Sequence, residues 1–126
     1  MVETPLVTPD AASAAAILRA LDAAGIPITV ALWLKKTDED AWELVLSTPL
    51  YDKLGPSEAY LRLIKALSNE GPVVLRLPWR IEGNSNPFIR GLRKMFGKTA
   101  SVEGMHLGGH MVGGQWIHDA YAYRIK

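Results

Sequence analysis

The side chains best suited to chemistry in this sequence are cations, and they cluster in its second half. Arg76 and Arg80 share one side of a run that alternates as a strand. Arg90, Arg93 and Lys94 recur at helical spacing, and Lys98 follows just beyond them. These six groups can form one patch for phosphates or for an acidic protein surface. Arginine predominates, which favours forked contacts to phosphate or carboxylate. Asn86-Pro87-Phe88 opens the segment that carries Arg90, so free backbone N–H groups and the positive end of a helix dipole can add to the same site. The expected partner is an anion, either nucleic acid or an acidic protein. No nucleic-acid-binding motif accompanies the basic residues, so base-specific reading is not expected.

Other constellations are weaker. His106, His110 and His118 crowd the end of the chain, and histidine clusters serve zinc binding or acid–base work. The spacing of His106 and His110 would place both on one helical face, but Gly108 and Gly109 lie between them and argue against a helix. In a strand the two would stand about 13 Å apart, too far to share a metal. With Gly113-Gly114 as a two-residue turn, His106 faces Tyr121, His110 faces Ile117, and His118 points to the opposite side. The carboxylates Asp38, Glu39, Asp40 and Glu43 read as a solvated hairpin tip that discourages edge pairing. No lysine follows them at the spacing of a two-metal nuclease. No serine sits in a Gly-x-Ser-x-Gly elbow, and no Gly-x-Gly-x-x-Gly or Walker motif is present. Tyr121 and Tyr123 alternate with Ala120 and Ala122. Tyrosines on a sheet face can stack bases, although packing is their commoner use. No catalytic residue, metal or cofactor is assigned.

The 126 residues suit one domain. At 48% hydrophobic and 21% charged, the composition is that of a globular protein able to build its own core. Cysteine is absent, which excludes disulfides, thiolate metal sites and cysteine nucleophiles. No apolar run approaches a membrane span, and the start lacks the pattern of a secretory signal, so a cytoplasmic protein with no membrane partner is expected. The net charge of +1 conceals an asymmetry. Residues 1–60 hold four Lys and Arg against nine acids, whereas residues 61–126 hold ten against four. Such a dipolar chain can steer an anion to its basic side, unless folding brings the two halves together to neutralise one another.

These groups need elements to position them. Residues 1–7 read as a tail. Thr8-Pro9-Asp10 signals a helix over 9–24, ended by Gly25. Residues 28–36 and 41–48 read as a hairpin of two strands, with Trp33 near Leu44 and Trp42 near Lys35 on one face, and Leu32 with Val45 on the other. A loop punctuated by Pro49, Asp52 and Gly55 leads to a second helix over 56–69. Residues 73–81 read as a third strand, demoted to an edge or a bulge by Pro78. A third helix runs from 87 to Gly97, with Gly91 in its middle at a cost of about 1 kcal/mol against alanine. Residues 100–126 read as a long hairpin, with 116–125 as its strongest strand.

The order α-β-β-α-β-α-β-β predicts a single α+β domain over 1–126, with a mainly antiparallel sheet of about five strands and three helices mostly on one face. Both faces of the 28–48 hairpin are apolar, and three helices have difficulty covering both sides of such a sheet. That predicts a homodimer burying one of these faces. The leading expectation is a non-catalytic module that binds an anion through Arg76, Arg80, Arg90, Arg93, Lys94 and Lys98. The alternatives are a self-associating assembly module and a small metal-assisted hydrolase built on His106, His110, His118 and Asp119.

Overall fold

The computed structural model describes residues 7–35, 42–68, 79–98, 102 and 104–126, with the backbone alone for 7–12. Ten elements follow in order: α1 (Val7–Ala23), β1 (Val30–Lys35), β2 (Glu43–Ser47), α2 (Pro49–Leu54), α3 (Pro56–Ala66), β3 (Trp79–Glu82), α4 (Pro87–Phe96), β4 (His110–Val112), β5 (Gln115–Ile117) and β6 (Asp119–Ile125). The class is α+β, as the order of patterns predicts. The detail differs: four helices and six strands are present among the described residues, in a four-stranded sheet and a separate two-stranded one.

The large sheet has the order β3-β2-β1-β6. β1 is antiparallel to β2 and to β6, while β3 runs parallel to β2. The first hairpin has the register that alternation predicts, with Trp33 opposite Leu44 and Leu32 opposite Val45, and Lys35 Nζ 5.9 Å from the centre of the Trp42 ring. The acidic tip, 37–40, lies outside the described residues, as do Arg76 and Pro78 of the expected third strand. What is described of that strand, Trp79–Glu82, forms one edge of the sheet.

The extra helix, α2, arises where a loop was expected. Thr48 caps it, its Oγ1 accepting from Leu50 N–H at 3.2 Å, and Pro49 takes the first helical position, where a missing N–H costs nothing. Gly55, at φ +88°, then turns the chain directly into α3. α4 begins as its sequence signals: Asn86 Oδ1 accepts from Phe88 N–H at 2.9 Å and Ile89 N–H at 3.3 Å, with Pro87 next. α1 already includes Val7, so Thr8 lies inside its first turn rather than capping it.

The single long C-terminal hairpin is also corrected. Gly113 and Gly114, at φ +55° and +80°, form the expected tight turn, and the pairings His110–Ile117 and His106–Tyr121 are present. The strand then breaks at His118. β5 stays with β4, and β6 passes to the large sheet. Within β6 the register shifts at Tyr123, so that Ala122 and Ile125 enter the same core cluster, three residues apart.

Both faces of the large sheet are covered within the chain. On one side Val30, Leu32, Leu34, Val45, Ala120 and Ala122 pack against Phe88, Ile89 and Leu92 of α4 and against Val112 and Ile117 of the small hairpin. On the other, Ala31, Trp33, Leu44 and Leu46 pack against Ile17, Leu18 and Leu21 of α1 and against Leu63 and Leu67 at the end of α3. Helices α1 and α3 thus share one face, as expected of most helices, while α4 and the small hairpin cover the other. The expected bare face is absent: Trp33 is 1% exposed and Leu44 fully buried. The β4–β5 hairpin completes the cover that a count of helices leaves short.

Candidate functional site

The basic residues predicted as one patch divide into three groups. Arg76 lies outside the described residues. Arg80, on the edge strand β3, is held between two carboxylates, 3.2 Å from Glu43 and 3.1 Å from Glu82. Glu82 also accepts from Asn86 Nδ2 at 3.0 Å, so Arg80 is tied to the cap of α4. The third group is the outer face of α4. Arg90, Lys94 and Lys98 are exposed, and Arg93, half-buried, donates from Nε to the Lys126 carbonyl at 2.7 Å. Among the described residues, no Asp or Glu carboxylate pairs with any of these four cations.

Hydrophobic burial aims this row. Phe88, Ile89 and Leu92 are the buried stripe of α4, which leaves Arg90, Arg93 and Lys94 on the remaining surface. Pro87, Arg90, Gly91, Arg93 and Lys94 line a shallow depression of about 450 Å³. The opening turn of α4 adds only part of its donor set, because Asn86 already engages the N–H groups of Phe88 and Ile89.

The charge asymmetry of the chain is resolved in part by pairing between its halves. Glu43 binds Arg80, and Asp22 binds Arg124 through two hydrogen bonds of 2.9 and 2.7 Å. Hydrogen bonding from Arg124 holds the Asp22 carboxyl below its usual range against the opposing effect of burial, and it raises Arg124 in turn. These pairs anchor β3 and β6, the two edges of the sheet. The cations of α4 are left out of them.

The histidines do not converge. His106 Nδ1 lies 3.4 Å from Asp119 Oδ1, with its ring edge-on to Tyr121. His110 Nδ1 is 2.9 Å from the Leu107 carbonyl, and its ring meets Phe96. His118 is exposed at the strand break. Among the described residues no three His, Asp or Glu side chains are placed to hold a metal together. Tyr121 and Tyr123 are half-buried against the α1–α3 side and contact each other edge-on at 5.3 Å. No helix among the described residues is long and apolar enough to cross a membrane.

Sequence reasoning missed one pair. Met111 and Trp116 are opposed across the small hairpin and are 61% and 50% exposed, while Val112 and Ile117 on its other side are buried. The signal was available: a Gly113-Gly114 turn forces Met111 opposite Trp116, on the side away from Val112 and Ile117. Gly91 of α4 packs against Val112 and Gly113, and Gly113 packs against Pro87 and Phe88, so this hairpin sits beside the basic helix. Comparison with protein-family models, with curated proteins and with solved structures finds no match.

Proposed function

We propose that this protein is a cytoplasmic, non-catalytic binding module that takes an anionic partner on the outer face of α4. The observation that carries the reading is the row Arg90, Arg93 and Lys94, which lines a depression, with Lys98 just past the end of the helix; none of the four pairs with an Asp or Glu among the described residues. Arginine at two of the four positions supplies forked donors suited to phosphate or carboxylate oxygens. Arg80 serves chiefly to fasten β3, so the working site is smaller than the six residues of the sequence-based patch.

The experiment is a fluorescence-anisotropy titration of labelled single- and double-stranded DNA and RNA, at low and moderate salt, with the Arg90→Ala/Arg93→Ala/Lys94→Ala variant alongside. Binding should weaken steeply with salt, because each neutralised phosphate releases a counterion. The triple variant should lower the slope of log affinity against log salt by about 2. An absence of binding by the unmutated protein at low salt overturns the nucleic-acid form of the reading. Unchanged binding by the triple variant moves the site off α4. Self-association is the second reading, and it now rests on the exposed Met111 and Trp116 instead of the enclosed faces of the first hairpin. Light scattering at tens of micromolar that returns a monomer removes it.

A further inference from the structure

We infer that the anion taken by this face is single-stranded nucleic acid, with phosphates on Arg90, Arg93 and Lys94 and an unpaired base stacked on the indole of Trp116. This inference rests on the anion-binding reading of α4. It adds a second, uncharged contact that only some anions can use.

The small hairpin is built to hold that indole still. Its inner side, Val112 and Ile117, is buried in the core, and its turn is clamped against the first turns of α4 at Gly91, Pro87 and Phe88. Its other end is fixed by the edge contact between His110 and Phe96. Trp116 and Met111 therefore stand on a rigid support with their faces in solvent. Scattered exposed apolar residues are ordinary. A half-exposed tryptophan on a hairpin that packs against a helix whose arginines and lysine have no Asp or Glu partner among the described residues is a different arrangement. It puts a flat stacking surface and phosphate-binding charge on adjoining elements, the two parts that single-strand binders combine. Arg90 and Lys94, one helical turn apart, offer cations at about 6 Å spacing along α4, which suits a strand tracking the helix.

Competing occupants use only part of this face. Duplex DNA keeps its bases stacked and has nothing to offer the indole. An acidic protein would engage the arginines and leave Trp116 idle. A membrane would favour apolar groups at the apex of the hairpin, but the apex here is Gly113-Gly114, with Met111 and Trp116 on its flank.

The tryptophans make the test specific. Trp33 and Trp42 are buried, and Trp79 is half-buried and stacked on Tyr60 at 5.2 Å on the α3 side of the sheet. Quenching by an oligonucleotide bound at α4 thus reports Trp116. Oligo-dT, poly-U, a matched DNA duplex, poly-glutamate and phosphatidylcholine vesicles containing phosphatidylserine are titrated into the full chain at low salt. Trp116→Ala, Trp116→Phe and the triple basic variant are run in parallel, with far-UV circular dichroism as the folding control. Single strands should bind more tightly than the duplex and quench the emission. Trp116→Ala should lose that quenching and weaken single-strand binding about ten- to a hundred-fold, while Trp116→Phe should retain most of the affinity, since phenylalanine also stacks. Duplex bound as tightly as single strand, with Trp116→Ala without effect, overturns the inference and leaves the anion-binding reading intact. Binding confined to vesicles or to poly-glutamate overturns it as well, in favour of that partner. No binding to any of these polyanions overturns the inference and the underlying reading together.

Discussion

Gly91→Ala in the middle of α4 sets two known effects against each other. An alanine in a helix interior is favoured over glycine by about 1 kcal/mol, through lower backbone entropy in the unfolded chain. Judged from the sequence, the substitution should stabilise. In the structure an added Cβ would stand 2.7 Å from Val112 Cγ1 and 3.1 Å from the Gly113 nitrogen. Carbon atoms in contact prefer about 3.5–4.0 Å. Neither neighbour can yield easily: Val112 is enclosed in the core, and Gly113 is itself pressed against Pro87 and Phe88. Overpacking of this kind costs about 1–3 kcal/mol. The packing cost should therefore exceed the propensity gain, for a net loss of about 1–2 kcal/mol.

Urea unfolding of the unmutated protein, Gly91→Ala, Val112→Ala and the double variant measures this. Gly91→Ala should lower the midpoint at an unchanged slope. Val112→Ala alone should also destabilise, since it removes buried methyl groups. Combined, the two should cost less than their sum by about 1 kcal/mol or more, because removing Cγ1 makes room for the new Cβ. A raised midpoint for Gly91→Ala, or strict additivity of the pair, refutes the contact between α4 and the small hairpin. It would also detach Trp116 from the basic helix.

Two further outcomes follow from the packing and the ion pairs. Leu92→Ala should lose about 2–5 kcal/mol in the same unfolding assay, because Leu92 is fully buried, whereas the triple basic variant should stay within about 1 kcal/mol of the unmutated protein. The Asp22–Arg124 pair should make stability depend on acid pH. The folded carboxyl is held below its usual range, so its contribution is present above about pH 4 and is lost as pH falls through the folded value. Solvent screening of this half-exposed pair limits the effect to about 1 kcal/mol. Asp22→Asn should flatten the acid limb in part, and Asp52, lowered chiefly by its hydrogen bond from Ser85, should leave a remainder.

How much of this was legible in the sequence depends on whether local chemistry was decisive. The Asn86-Pro87 start of α4 was, because a capping side chain and a proline in the first turn act within a few residues. The first hairpin was legible because its alternation is long on both strands, and His110–Ile117 because Gly113-Gly114 admits one tight register. Helix α2 was not, since Pro49, Asp52 and Gly55 suit a turn as well as a short capped helix. Thr48-Pro49 was the cue that separates them. The breaks at His118 and Tyr123 were hidden for another reason. Residues 116–125 are rich in aromatic and branched types throughout, as one strand would be, and the breaks accompany pairing with strands distant in the chain. The apolar faces of the first hairpin show that two covers are needed. They do not say whether a helix, a small hairpin or a second copy provides them, and here the chain provides both.

The candidate site was legible as composition and not as geometry. Six cations in the sequence carry equal weight, but folding sorts them by the acids it brings near. The two edge strands of the large sheet each carry an arginine, Arg80 on β3 and Arg124 on β6, and each is met by an acid from the first half of the chain. Those pairs fasten edges that would otherwise be open to pairing with other chains. The cations on α4 fasten little: Arg93 makes one bond to the Lys126 carbonyl, and Arg90, Lys94 and Lys98 meet no acid among the described residues. Concentrated like charge on one helix face works against the fold slightly, by mutual repulsion. A cost that structure does not recover can be recovered by a ligand, which is why the proposed binding face is the row on α4 without Asp or Glu partners and does not follow from the arginine count.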